Sequence, residues 1–115
     1  METRKCSICG EQTPIGFTRR NAILCNDGET ASIQASCANY STPKKCGVDI
    51  YDNIEAGFPS VYPPQSWMKY CEDSTDPLNT VYPFMPTQLV WEFVQEHGGL
   101  SDISAPLDFI WFPIS

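Results

Sequence analysis

The feature that most constrains this chain is a Cys-x-x-Cys-Gly motif formed by Cys6, Cys9 and Gly10. Two thiolates at this spacing can bind one metal ion from a single tight turn, and the glycine lets the backbone adopt a positive φ. Such a motif supplies two of the four ligands of a tetrahedral site. The sequence therefore predicts a metal centre whose other two ligands lie farther along the chain.

Six cysteines are a high content for 115 residues, and two explanations compete. One is a disulfide framework in a secreted protein, which an even number of cysteines permits. The other is metal binding in a reducing compartment, which the initial Met1 and the lack of a signal-like opening segment favour. No stretch approaches the ~20 apolar residues that a membrane span requires. We therefore expect a cytoplasmic, metal-binding protein that does not enter a membrane.

A β-hairpin is predicted over residues 17–37, with a two-residue Asp-Gly turn at 27–28. From Thr30 to Cys37 polar and apolar residues alternate strictly, which is typical of a half-buried strand. In this register Cys25 lies near the tip, more than ~20 Å from Cys37 at ~3.3 Å per residue. The two cysteines then cannot share an ion, and Cys37 is the better ligand because it lies at the end nearer the motif.

The fourth predicted ligand is Cys46, which follows Cys37 by nine residues and precedes Gly47, repeating the Cys-Gly pattern. Four thiolates around a divalent ion carry a net charge of about −2, which nearby cations relieve. Basic residues immediately precede two of the chosen ligands and flank neither Cys25 nor Cys71. The pattern also suits an ordinary basic terminus and a solvated lysine pair. The basic residues are Arg4, Lys5, Lys44 and Lys45.

With this motif, the hairpin and a later Cys-Gly, residues 1–50 resemble a zinc ribbon. The resemblance rests on Cys6, Cys9, Gly10, Cys46 and Gly47. It implies a small hairpin module built around a structural zinc ion. The second pair departs from the usual ribbon, because eight residues rather than two separate its cysteines. Zinc ribbons include nucleic-acid-binding and protein-binding modules, so the resemblance selects neither function.

The whole sequence predicts a single α+β domain over residues 1–115. In this domain an acidic, aromatic part at 51–115 follows the ribbon-like part at 1–50. Residues 51–86 are rich in proline and predict loops and short edge strands. One helix is predicted at about 86–97, and the apolar residues 108–114 predict a terminal strand. The predicted apolar stripe of the helix excludes Trp91 and contains Leu89, Val90, Phe93, Val94 and His97.

The net charge of −7 is unevenly distributed. Residues 1–46 carry six basic and four acidic side chains, whereas residues 47–115 carry one basic and ten acidic side chains. Acids mixed with aromatic residues suit a protein partner with a basic surface. We expect a non-enzymatic, zinc-stabilised interaction module, in the manner of a phage or bacterial inhibitor or immunity-type protein that binds a nucleic-acid-handling partner. The expected partner-binding residues are Trp67, Glu72, Asp73, Asp76, Trp91, Glu92 and Glu96.

Two other functional classes are weighed against this one. A nucleic-acid-binding accessory protein would use a basic amino-terminal face, although the acidic remainder opposes phosphate binding. An enzyme is disfavoured because the chain lacks a Gly-rich phosphate loop and a nucleophile elbow, and a four-thiolate zinc site leaves no position for water. His97, Cys25 and Cys71 are interpreted as structural. The basic face would comprise Arg4, Lys5, Arg19, Arg20, Lys44 and Lys45, with Phe17 or Tyr40 for stacking.

Overall fold

The computed structural model describes residues 4–6, 8–10, 12–13 and 20–111. Within these residues the chain forms a two-stranded hairpin, a four-stranded antiparallel sheet, a 3-10 helix at Gln65–Tyr70 and one α-helix. The mixed α and β content agrees with the sequence prediction. The elements are β1 (Arg4–Lys5), β2 (Gln12–Thr13), β3 (Ile23–Leu24), β4 (Thr30–Gln34), β5 (Asn53–Gly57), β6 (Val81–Pro86) and α1 (Thr87–Glu96).

The larger sheet has the strand order β3-β4-β5-β6. Its edge strand β6 contains Pro83 and Pro86, which an edge tolerates because one side of the strand makes no ladder hydrogen bonds. The interior strand β5 corrects the sequence prediction, which allowed only loops and edge strands in residues 51–86. Its alternation rests on just Ile54 and Ala56, both buried, and this signal is too short to read from sequence.

The hairpin of β3 and β4 forms, but its predicted two-residue turn is wrong. Leu24 pairs with Thr30, so three residues, 26–28, connect the strands beyond the Cys25–Glu29 pair. Gly28 adopts φ 93° and donates its N–H to Cys25 O at 3.0 Å, a turn that requires a left-handed residue. The predicted hairpin positions 17–19 lie outside the described residues.

The core lies between the sheet and α1, and Trp67 is at its centre. The predicted helix is confirmed to within a residue, and Val90, Phe93 and Val94 of its stripe are buried. The prediction that Trp91 lies off the buried face is wrong: it is 8% exposed and belongs to the core, and its indole N–H donates to Trp111 O at 2.6 Å. Of the predicted strand 108–114, the described part forms a single parallel bridge between Ile110 and Tyr51, and residues 112–114 lie outside the described residues.

The tip of the β3–β4 hairpin is attached to the end of α1. Asn26 donates its backbone N–H to Gly99 O at 2.8 Å. The Asp27 carboxylate lies 2.6 Å from Nδ1 of His97, the residue that ends the helix. The His97 ring also contacts Phe93, with ring centroids 4.6 Å apart. These contacts agree with the interpretation of His97 as a structural residue.

Replacing Asp27 by asparagine is expected to weaken this attachment and to change the acid limb of the stability profile. Burial alone would raise the pKa of Asp27, but the Glu29 N–H and His97 outweigh it and lower the pKa. Stabilisation from Asp27 is thus complete above its unfolded pKa of about 3.9 and is lost as the pH falls through the lower folded value. In urea unfolding between pH 2 and 7, the free energy of unfolding should fall less at acid pH for Asp27→Asn than for the parent. A profile identical to the parent, or the same change in the exposed-loop control Asp102→Asn, would contradict this.

Candidate metal centre

The first pair of cysteines lies in the loop that connects β1 and β2. Pairing of Arg4 with Thr13 and of Lys5 with Gln12 closes this loop. Gly10 adopts φ 80° and donates its N–H to Cys6 O at 3.0 Å. The N–H groups of Ile8 and Cys9 lie 3.4 and 3.5 Å from the Cys6 sulfur. The positive φ predicted for Gly10 is confirmed, and the turn directs backbone amides at a sulfur atom.

The second pair lies in the long connection between β4 and β5. This connection is held against the sheet by Glu55, whose carboxylate accepts hydrogen bonds from the Tyr40 N–H at 3.1 Å and the Asn39 amide at 3.3 Å. The Phe84 N–H on the edge strand donates to Tyr40 O at 2.9 Å. These bonds restrain the loop between Cys37 and Cys46 from the sheet side.

The four cysteines that the sequence nominates lie in one cluster, with all Sγ atoms within 4.8 Å of one another. The Sγ atom of Cys46 lies 3.6 Å from that of Cys6, 3.4 Å from that of Cys37 and 4.0 Å from that of Cys9. The Sγ atoms of Cys6 and Cys37 are 3.6 Å apart. A sulfur tetrahedron with metal–sulfur bonds of ~2.3 Å has edges of roughly 3.8 Å. The cluster thus has dimensions that could hold one metal ion.

Electrostatics in the cluster also favour a cation. Hydrogen bonding from the Cys9 N–H, aided by the Ile8 N–H and opposed by burial, lowers the pKa of Cys6 to about 6. Burial raises the pKa of the Cys37 and Cys46 thiols. One thiol thus ionises readily, while its neighbours resist acquiring a second negative charge at short range. A divalent cation among them would offset that repulsion and allow the remaining thiols to ionise.

Cys25 and Cys71 lie outside the cluster, as predicted. All six cysteines are free thiols, so the disulfide framework is not formed. Cys25 is buried where its strand bridges to Leu100, and burial, followed by the nearby Asp27 and Glu29, raises its pKa to about 11. In the described part of the chain, the four-cysteine cluster is the one group of three or more His, Cys, Asp or Glu side chains placed to share an ion.

The predicted partner-binding residues divide into two buried tryptophans and five exposed acids. Trp67 has 0% exposure and Trp91 only 8%, which is opposite to the exposed position that an interaction anchor requires. The acids Glu72, Asp73 and Asp76 are exposed in the loop before β6, where Asp73 accepts hydrogen bonds from Thr75 and Asp76 from Asn79. Glu92 and Glu96 are exposed on α1.

Sequence reasoning missed an exposed aromatic pair beside the cysteine loop. In β6, residues 83–84 together oppose Glu55, which forms a β-bulge. Phe84 there adopts φ 51°, a region that bulky residues rarely occupy, and its side chain is exposed. Its ring centroid lies 5.6 Å from that of Tyr40, and Lys44 Nζ lies 4.8 Å from the Tyr40 centroid. The bulge thus presents an aromatic pair with an adjacent cation, which we call the Tyr40–Phe84 patch.

The proposed basic face is only partly supported. Arg20 is half-buried: its guanidinium lies 4.0 Å from the Phe109 ring centroid and donates to Ala35 O at 2.7 Å. It therefore serves packing rather than phosphate binding. Arg19 and Phe17 lie outside the described residues. Lys5, Lys44 and Lys45 are exposed.

Comparison with protein-family models, curated proteins and solved structures gives no match. Among the described residues no helix has the length and apolar character needed to cross a membrane.

Replacing Gly10 by alanine is expected to weaken metal binding about 5- to 30-fold. A non-glycine residue in the left-handed region costs about 1–2 kcal/mol. The added Cβ itself would find space, since its nearest neighbour is Lys5 Cε at 3.7 Å. Competition titration with a chromophoric chelator measures the change.

The matched control is Gly28→Ala. Gly28 has a comparable φ of 93°, and an added Cβ would meet nothing within 4 Å. It lies in the β3–β4 hairpin, outside the cysteine cluster. The control should lose stability but keep its metal affinity within a factor of two. Equal losses of affinity in both variants would contradict a specific role for the Gly10 turn.

Proposed function

We propose that this chain is a non-enzymatic protein-interaction module whose fold is stabilised by one structural zinc ion. The observation that carries the proposal is the cluster of four sulfurs, which all lie within 4.8 Å of one another and of which four pairs are 3.4–4.0 Å apart, close to the edges of a tetrathiolate tetrahedron. Tetrahedral four-sulfur sites select zinc or iron–sulfur centres, and a single mononuclear ion fits these separations. The proposed ligands are Cys6, Cys9, Cys37 and Cys46.

A four-thiolate zinc site is closed, and this property favours a structural role. Catalytic zinc requires a coordination position for water or substrate, which four protein sulfurs do not leave. The ion would join the β1–β2 loop to the β4–β5 connection, two segments about thirty residues apart in the sequence. We assign the protein to a reducing, cytoplasmic environment because thiolate ligands persist there. The arrangement is zinc-ribbon-like in its first loop, with a longer second loop.

The interaction surface is proposed to be acidic and to bind a basic protein. Ten of the eleven charged side chains in residues 47–115 are acids. Five of them are exposed in the loop before β6 and on α1: Glu72, Asp73, Asp76, Glu92 and Glu96. Carboxylates arranged over such a surface can bind the basic residues with which a partner otherwise binds nucleic-acid phosphates. This property suits an inhibitor or immunity-type protein directed at a nucleic-acid-handling partner. With Trp67 and Trp91 buried, exposed aromatics such as Tyr62 and Trp111 provide the apolar contacts.

Affinity capture with charge-reversal variants tests this proposal. The immobilised parent should retain a basic protein from an extract of cells that carry it, and retention should fall as salt is raised. Reversal of Glu72, Asp73 and Asp76 to lysine should abolish retention. Reversal of Asp49 and Asp52, exposed acids of the β4–β5 connection, should leave it unchanged. Retention that survives the first set, or is lost equally in both sets, would contradict an acidic binding surface.

A nucleic-acid-binding accessory function is the second candidate, and the Tyr40–Phe84 patch favours it. Aromatic stacking on a base contributes roughly 1–3 kcal/mol, and the exposed Lys44 and Lys45 would supply cations for phosphates under this alternative. Fluorescence anisotropy with a twenty-nucleotide oligothymidine would show salt-dependent binding under this alternative. The affinity should fall about 5- to 150-fold in Tyr40→Ala and stay constant in Tyr62→Ala, an exposed tyrosine outside the patch. Absence of salt-dependent binding by the parent would exclude it.

A further inference from the structure

The carboxyl-terminal segment and α1 enclose a recess with two indole side chains. A space of about 290 Å³ is lined by Thr87, Gln88, Trp91 and Trp111. A second space of about 210 Å³ is lined by Gln88, Trp91, Glu92 and Gln95. Both spaces share Gln88 and Trp91, so they are adjacent along α1, with Trp111 bordering the first and Glu92 the second. We call the combined feature the Trp–Glu recess.

The recess is held in place by hydrogen bonds to its walls. The Trp91 indole N–H donates to Trp111 O at 2.6 Å, which fixes the buried indole relative to the backbone of the exposed one. The Glu92 carboxylate accepts a hydrogen bond from Ser66 Oγ, which lies 3.1 and 3.2 Å from its two oxygens. This contact fixes the carboxylate against the 3-10 helix that contains Ser66. Trp111 is 65% exposed and forms an open wall. A ligand would therefore meet a largely preformed site, which lowers the entropy lost on binding.

We propose that the Trp–Glu recess binds an arginine side chain of the basic partner, an inference that rests on the proposed function above. A guanidinium group is planar, stacks on indole faces and forms paired hydrogen bonds with a carboxylate. Among the described residues that line the two spaces, Glu92 is the one charged side chain, so no lining cation repels the ligand.

Lysine is the less suitable ligand for the same recess. Its ammonium group is a compact, strongly hydrated charge that lacks the planar fork of arginine. Tryptophan is the best aromatic partner for a cation, and the exposed indole of Trp111 supplies this face, while the buried Trp91 forms the base of the recess and Glu92 borders it on the Trp91 side. The recess therefore predicts selectivity for arginine over lysine, and dependence on the positive charge of the guanidinium.

Peptide titration followed by nuclear magnetic resonance tests this inference without the partner. The probes are Gly-Gly-Arg-Gly-Gly and its lysine and citrulline analogues, the last being a neutral isostere of arginine. The arginine peptide should shift the indole N–H resonances of Trp91 and Trp111, with at least tenfold weaker binding of the citrulline peptide and intermediate binding of the lysine peptide. Trp111→Ala and Glu92→Gln should each weaken the arginine peptide at least fivefold. Glu96→Gln, on the same helix but outside the recess, should change it less than twofold.

The inference is overturned if the arginine and citrulline peptides bind equally, if the indole resonances do not move, or if Glu92→Gln and Glu96→Gln have equal effects. These results are independent of partner capture. Failure of the peptide test with capture intact would remove the arginine site and leave the interaction proposal standing. Peptide binding without charge-dependent capture would support the recess and contradict the wider acidic surface.

Discussion

Replacing Cys46 by serine is expected to abolish binding of the proposed zinc ion and to destabilise the protein by roughly 3 kcal/mol or more. The Cys46 sulfur is buried and lies within 4.0 Å of the sulfurs of Cys6, Cys9 and Cys37, so it contributes to three edges of the cluster. A serine hydroxyl stays protonated near neutral pH and is a poor zinc ligand. Native mass spectrometry should find one ion per parent chain and predominantly none in the variant, with a lower unfolding midpoint.

The control for this experiment is Cys71→Ser. Cys71 is partly buried and lies outside the cluster, so its replacement should keep one ion per chain. Adding a strong chelator to the parent should lower its stability towards that of the Cys46 variant and leave the Cys46 variant itself unaffected. Equal metal content in the parent and Cys46→Ser, or a chelator effect that persists in the variant, would contradict a structural metal at this position.

Replacing Trp67 by alanine is expected to destabilise the protein by about 3–5 kcal/mol. Its side chain has 0% exposure, and its ring centroid lies 5.4 Å from that of Tyr82 and 5.2 Å from that of Phe93. The indole N–H donates to Leu89 O at 2.8 Å, which anchors the 3-10 helix to α1. Truncation leaves a cavity and removes the hydrogen bond between these elements.

Urea unfolding of Trp67→Ala beside Trp111→Ala measures the effect. Trp111 is 65% exposed, and the hydrogen bond to Trp91 uses its backbone carbonyl, so truncation of its side chain should change the free energy of unfolding by less than about 0.5 kcal/mol. A loss below about 1 kcal/mol for Trp67→Ala would show that this residue is not central to the core. It would also reopen the sequence-based interpretation of Trp67 as a partner anchor.

The cysteine cluster could be predicted from sequence because metal-ligand chemistry restricts spacing and charge strongly. The Cys-x-x-Cys-Gly motif nominates Cys6 and Cys9, and the distance along one hairpin excludes Cys25 as a companion of Cys37. That exclusion held even though the predicted turn was one residue too short. Cys25 lies near the tip of the hairpin and Cys37 near its other end. A change of one residue in the turn shortens the distance between them too little to bring them together.

The two tryptophan anchors could not be judged from sequence because their burial depends on distant segments. Trp91 falls off the apolar stripe of α1, yet it is buried, and its indole N–H donates to Trp111 O, twenty residues along the chain. The Phe84 bulge was equally invisible, since it arises from pairing with Glu55 on another strand. Local periodicity predicts the elements themselves, while contacts between distant elements decide which side chains remain available for a partner.

Zinc K-edge X-ray absorption of the purified protein tests the central claim most directly. A structural tetrathiolate centre predicts one zinc ion per chain with four sulfur neighbours at about 2.3 Å and no lighter ligand in the first shell. A first shell that contains nitrogen or oxygen, fewer than four sulfurs, or a protein that folds fully without metal would contradict it.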